Sequence, residues 1–240
     1  MSISTLLRTL VTYLFIFIIS LVIVPILALI ALLPEKFRFN NPLYFRIIYI
    51  FYKSILFFSF LPKKISGLAN LIDEPAIYVG NHQSALDIPV IGYINGLKAH
   101  TWLVLEYYAK TPILGFFVRR MTVPVNRSDK VKAGRSLLQL LKRVENYKMN
   151  VIIFPEGARH KEKKVHEFFS GFAILAQKTG LPVIPMYMPN NSAIYPVGSF
   201  LINWEIIEVK IGEPMVYNSQ ETIQDFTNRV RNWFVAQANN

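Results

Sequence analysis

The chain has 240 residues, of which 52% are apolar and 17% charged, enough to bury a sizeable core. Global disorder is therefore excluded, and one globular domain with an appendage is expected. Twenty-six Lys and Arg against 15 Asp and Glu leave a formal charge of +11, which favours anionic partners: nucleic acid, phosphorylated metabolites, acidic proteins or anionic headgroups. There is no cysteine, so disulfides, a thiolate nucleophile and cysteine-ligated zinc or iron–sulfur sites are ruled out.

The apolar excess sits at the front. No charged residue occurs between Thr9 and Pro34, and residues 10–33 read LVTYLFIFIISLVIVPILALIALL. As a helix this run is about 36 Å long, against a hydrocarbon core of about 30 Å, so it crosses or deeply enters a bilayer. It is too long for a secretory signal and no small-residue cleavage site follows. Pro25 is a potential kink point, which keeps a re-entrant or interfacial helix pair open. A second stretch, 44–61, reads YFRIIYIFYKSILFFSFL. Its Arg46 and Lys53, seven apart, share one side of a helix, as expected for a helix in the interface whose cations snorkel to headgroups. Lys36, Arg38, Arg46, Lys53, Lys63 and Lys64 follow the first run, against Arg8 before it. That asymmetry predicts an inner-membrane protein whose remainder faces the cytoplasm.

The organisation expected is 1–65 as a two-helix membrane anchor and 66–240 as an α/β domain. Strands are predicted at 76–79, 101–105, 121–125, 151–154, 183–188 and 206–211. Amphipathic helices are predicted at 130–146, 170–179 and 221–238. Alternation of the two implies α/β architecture with a largely parallel sheet flanked by helices.

Polar residues suited to chemistry fall just past several strand ends: Gly80-Asn81-His82, then Asn126-Arg127, then Pro155-Glu156-Gly157-Ala158-Arg159. In open parallel sheets ligands sit at that edge, so these segments are expected to converge. His82 and Asp87 are five apart, roughly 140° around a regular helix, and meet only if His82 lies in the preceding loop or first turn with Asp87 one turn in. Asn81 and Ser84 suit the cap of such a start. A carboxylate on one imidazole nitrogen leaves the other as a base. Arg159 has the fork to grip a phosphate, with Glu156 orienting it or accepting a substrate hydroxyl. Taken alone, His-x4-Asp is as compatible with a capping histidine, FPEGARH with a local Glu–Arg turn, and Arg127 with a solvated cation. The basic run 159–164 and the pair Arg119-Arg120 are solvated charge or contacts to lipid, CoA phosphates or an acidic carrier. Cations are not interleaved with aromatics on one binding element, so nucleic acid is not expected as a partner. Gly-x-Ser-x-Gly, His-Glu-x-x-His, P-loop and dinucleotide fingerprints are absent.

Four segments in this order, NHQSALD, PVNR, FPEGAR and VIP, resemble the four sequence blocks of the glycerolipid acyltransferase family, in particular its bacterial 1-acyl-glycerol-3-phosphate acyltransferases; the resemblance spans about 67–213. It implies that His82 and Asp87 are the catalytic pair and that Arg127, Glu156, Gly157 and Arg159, with Asn81, form the substrate-binding set. It further implies transfer of an acyl group from acyl-CoA or acyl carrier protein to lysophosphatidic acid, at a membrane, with no cofactor and no metal. Departures are Val104-Leu105 where the family often has a lysine, Ala158 for its Thr or Ser, and Ser170 before Gly171 for a basic residue. These leave other acceptors open: another lysophospholipid, glycerol 3-phosphate or an amino-acid lipid. A non-catalytic phospholipid-binding module is the remote alternative.

Overall fold

The computed structural model describes residues 2–160 and 164–239. Its sheet has seven strands: β1 (Lys63–Ser66), β2 (Ile77–Gly80), β3 (His100–Leu105), β4 (Val123–Val125), β5 (Asn150–Ile153), β6 (Val183–Tyr187) and β7 (Ile207–Ile211). Their order is β1-β7-β6-β2-β5-β3-β4, and every neighbouring pair is parallel except β6–β7. The α/β class with a largely parallel sheet is thus present. Six strands fall within one or two residues of their expected positions. β1 was not anticipated: Lys-Lys-Ile-Ser is mostly exposed and carries no apolar run, because it forms the sheet's edge.

The alternation of side chains divides the core in two. Ile77, Val79, Val151, Ile153 and Val183 face one way, onto α7 (Lys130–Tyr147), α8 (Gly171–Thr179) and α10 (Ile223–Asn239). Ala76, Tyr78, Ile152, Ile184 and Met186 face the other, onto α3 (Pro42–Phe58) and α4 (Asp87–Asn95). The short α5 (Glu106–Ala109), α6 (Leu114–Met121) and α9 (Asn191–Ile194) lie in the connections. Parallel strands with helices on both faces read as near-continuous apolar runs, which is why they were visible in the sequence.

Outside α3 lies α1 (Ile3–Leu32), unbroken through Pro25, followed by the short α2 (Glu35–Phe39). α1 is long and apolar enough to cross a membrane. It is not free on all sides, however: Thr9 and Thr12 in its first half and Ile23, Leu27, Ile30 and Ala31 in its second are buried. The outer stripe Leu7, Leu10, Leu14, Phe17 and Leu21 is exposed. On α3 the exposed stripe is Leu43, Arg46, Ile50, Lys53 and Phe57, so the two cations do share the outer side, while Tyr44, Phe45 and Leu56 pack inward. Arg143 of α7 fastens this end of the molecule: with only 2% of its side chain exposed, it donates to Glu35 and to the Thr122 carbonyl, and its guanidinium lies over the Phe39 ring.

Candidate active site

Strand register brings the expected segments together. Val79 of β2 lies level with Ile153 of β5 and with Pro185 of β6. Residues 80–82 and 154–157 therefore leave adjacent strands at the same height. One strand further, β3 aligns with β5, and Leu105 lies level with Val125 of β4, which carries Asn126 and Arg127 to the same edge.

His82 lies in the turn between β2 and α4, with 16% of its side chain exposed, against 0% for Asp87. The turn is closed by the carboxylate. Asp87 Oδ2 accepts from the backbone N–H of Gln83 at 2.7 Å and of Ser84 at 2.8 Å, and lies 2.8 Å from His82 Nδ1. Asp87 is the first residue of α4 rather than one turn in. A carboxylate that only accepts requires the proton on Nδ1, so His82 Nε2 is the basic nitrogen. The imidazole is stacked on Phe154, centroids 4.0 Å apart and planes 6° apart, which fixes its second degree of freedom. Asp87 Oδ1 accepts from Asn191 Nδ2 at 2.8 Å. Asn191 is fully buried and 104 positions away in sequence, and no motif pointed to it.

The remaining expected residues divide. Arg127 and Arg159 line a cavity of about 1010 Å³ together with His82 and Lys130, a cation not singled out in the sequence. Its inner wall is apolar, formed by Leu103, Leu105, Val118, Leu137, Leu140 and Phe172. Gly157 adopts φ +70, and a Cβ there would collide with the Arg127 guanidinium, which rests over it and over the Phe169 ring at 4.3 Å. Arg159 Nη2 donates to the Tyr108 hydroxyl at 3.1 Å. Glu156 and Asn81 are placed differently from expectation. Glu156 is 6% exposed and accepts from the His82 backbone N–H at 3.2 Å, so it braces the His82 turn from behind instead of orienting Arg159. Asn81 spends both ends of its amide on the Met188 backbone, at 2.9 and 2.8 Å, and ties β2 to β6 instead of capping α4 or reaching the cavity. Arg119 and Arg120 bond the Ala109 and Ala31 carbonyls. Of the basic run 159–164, Lys161 and Lys163 lie outside the described residues.

Glu156, His160 and His166 bring one possible metal-ligand atom each within 4.8 Å of one another. The two imidazoles are stacked, 3.6 Å between centroids and 18° between planes. In-plane lone pairs on near-parallel rings do not converge on a point about 2.0 Å from both nitrogens. An ion there requires a ring to turn.

Burial pushes the Glu156 carboxyl up to about 7 from 4.5, against the opposing pull of the His82 and His166 backbone N–H groups. The folded protein then holds a proton that the unfolded chain has released between those two values. The stability it contributes is complete below pH 4.5 and is lost as pH rises through 7, on the order of 3 kcal/mol in all. Glu156→Gln, which keeps an acceptor for His82 N–H, is expected to flatten this slope relative to wild type; thermal unfolding of both proteins from pH 4.5 to 8 measures it. Asn191→Ala leaves Asp87 Oδ1 without its amide partner in a dry site, an expected cost of about 1–3 kcal/mol. Asn191→Asp, which sets a second carboxylate against Asp87, is expected to cost more; denaturant unfolding ranks the two.

Residues 63–189 match the family model described as Acyltransferase. A chloroplastic 1-acyl-sn-glycerol-3-phosphate acyltransferase of Brassica napus is 34% identical over 174 residues, covering 70% of this chain and 48% of that protein. A 1-acyl-sn-glycerol-3-phosphate acyltransferase of Saccharomyces cerevisiae is 30% identical over 182 residues, covering 73% of this chain and 59% of that protein. The chain spans about half the length of the first of these relatives. The crystal structure of the 1-acyl-sn-glycerophosphate acyltransferase PlsC from Thermotoga maritima superposes with a TM-score of 0.76 at 26% identity, covering 99% of this chain and 97% of that one. With the matched region taking in β1 to β6 and both halves of the His82–Asp87 pair, the chain belongs to the acyltransferase family.

Proposed function

We propose that this protein transfers a fatty acyl group from a thioester donor, acyl-CoA or acyl carrier protein, to the free hydroxyl of 1-acyl-sn-glycerol 3-phosphate, giving phosphatidic acid at the cytoplasmic face of the inner membrane. The observation that carries the reading is the placement of His82, oriented by Asp87, on the wall of a cavity that is apolar inside and cationic at its mouth. The family and the names of the relatives favour the same chemistry.

In this mechanism His82 Nε2 accepts the proton of the acceptor hydroxyl as that oxygen attacks the thioester carbonyl carbon. The tetrahedral species collapses with cleavage of the C–S bond, and the departing thiolate takes the proton back from His82. No acyl-enzyme is needed, and the chain has no cysteine to form one. Arg127, Arg159 and Lys130 hold the acceptor phosphate, Arg127 kept in place by the bare backbone of Gly157. The apolar wall takes the acyl chain, each buried methylene contributing about 0.8 kcal/mol. α1, packed on the domain along one face and apolar on the other, enters a leaflet beside the site, and Arg46 and Lys53 on α3 reach for headgroups.

His82→Ala and Asp87→Ala are expected to lower acyl transfer by on the order of 10²–10⁴ in protein that remains folded. Arg159→Ala is expected to act mainly on the KM for the phosphorylated acceptor. A radiolabelled thioester assay with lysophosphatidic acid reads both, and near-normal turnover in either of the first two variants overturns the mechanism. Gly134 lies on the cavity wall in α7, and a Cβ there meets nothing within 4 Å. Gly134→Leu occupies the space of about four methylenes, so it is expected to lower kcat/KM for the longest accepted chains by on the order of a hundredfold relative to shorter ones. It should not cost stability, because leucine favours a helix interior over glycine by nearly 1 kcal/mol. A donor chain-length series checks the first point and a melting curve the second.

A further inference from the structure

Beyond Asn191, which holds Asp87, the connection between β6 and β7 has no part in the mechanism above, yet its position is constrained. Because β7 runs antiparallel to β6, this connection leaves and returns at the sheet edge that carries His82. β1 is parallel to β7, with Lys63 level with Ile207, so the end of α3 arrives at that same edge. Thr12 Oγ1 donates to the Phe58 carbonyl at 2.8 Å, which sets the first half of α1 alongside.

The connection is fastened to α1 by directed bonds. Arg8 Nη2 donates to the Ile202 carbonyl at 2.6 Å, the Ile202 N–H donates to Thr9 Oγ1 at 3.1 Å, and the Tyr13 hydroxyl donates to the Phe200 carbonyl at 2.8 Å. Asn203 braces it from the other side through the Ile194 and Ala193 carbonyls, both at 2.8 Å. Ile202 turns inward and is buried, whereas Phe200 and Trp204 are 54% and 62% exposed. A stretch whose backbone is this well held has no need to display two large aromatics for folding. Phe57 at 65% and Phe60 at 51% stand exposed at the end of α3, where it reaches the same edge. An aromatic rim at the catalytic edge, continuous with the apolar helix that it grips, matches the preference of Trp and other aromatics for the boundary between headgroups and acyl chains.

We infer that residues 199–206 form a further contact with lipid, in which Phe200 and Trp204 dip into the headgroup–acyl boundary of the leaflet that α1 enters and hold the catalytic edge against it. The inference rests on the membrane reading of α1 and α3 given above. Its consequence is geometric: the sheet edge that carries His82 is then held at the height of the headgroups.

The absence of cysteine makes the test clean. Trp204→Cys in the full chain, labelled with an environment-sensitive fluorophore, is reconstituted into vesicles of phosphatidylcholine and phosphatidylglycerol, some carrying nitroxide on the acyl chain. The expected result is blue-shifted emission, quenched by the nitroxide lipid and shielded from aqueous iodide. Protein that floats with the vesicles while its label remains water-like and iodide-accessible overturns this inference and leaves the membrane reading of α1 intact. Protein that fails to float overturns both. A label shielded from iodide but untouched by the nitroxide, in a concentration-dependent way, assigns the surface to a second copy of the chain and also overturns the lipid contact. As a second arm, Phe200→Ser combined with Trp204→Ser is expected to lower turnover of vesicle-borne acceptor several-fold while turnover of acceptor in detergent micelles is unchanged; equal loss in both overturns the inference.

Discussion

The site is organised by one buried carboxylate. Asp87 is fully removed from solvent, and an ionised carboxylate in such a place is tolerated only when its oxygens are filled by donors. Four donors do so: two backbone N–H groups of its own turn, the His82 ring and the Asn191 amide. Because Gln83 and Ser84 supply two of them, the electrostatic demand of the carboxylate is also what shapes the turn. The segment could not relax to a regular helix start without stranding that charge. His82 is therefore held by the same interaction that builds its backbone, and its tautomer follows from the acceptor-only character of its partner.

Around this point the sheet acts as an alignment device. β2, β5 and β6 end level, so three consecutive strand ends present their loops to one another, and the loops cross-link: Glu156 to the His82 N–H, the His160 N–H to the His82 carbonyl, Asn81 to Met188. Glu156 and Asn81 are polar residues at the edge that carries His82, and the family resemblance of their segments implied that they were substrate contacts. Their burial makes them braces. The long charged residues left facing the cavity are Arg127, Arg159 and Lys130, a cluster of guanidinium and ammonium donors suited to an anionic group.

What the sequence made legible follows the range of the interactions. Central strands were readable because burial on both faces forces continuous apolar runs, and the His82–Asp87 pair was readable because its spacing is local and sits in a block with company. β1 escaped because an edge strand with one exposed side needs no apolar signature. Asn191 escaped because it reaches Asp87 only after β6 has been laid beside β2, a long-range event that leaves no periodic trace. Lys130 stood at the visible start of α7, but only the fold shows that this helix end opens onto the cavity.

α1 shows the same limit in another form. Its hydropathy reads as a span, because hydropathy counts residues without asking which way they point. The few polar groups in the run are informative in their direction: Thr9, Thr12 and Tyr13 face the domain and bond to the Ile202, Phe58 and Phe200 backbone, while the opposite stripe is wholly apolar. A helix that crossed a bilayer alone would gain nothing from hydroxyls gathered on one side. A helix that lies on a protein and shows its other side to lipid needs them there, where each saturates a carbonyl or N–H that would otherwise be left bare against hydrocarbon. The arrangement of polarity within the run, more than its length, is what joins the apolar front of this chain to the chemistry of the domain behind it.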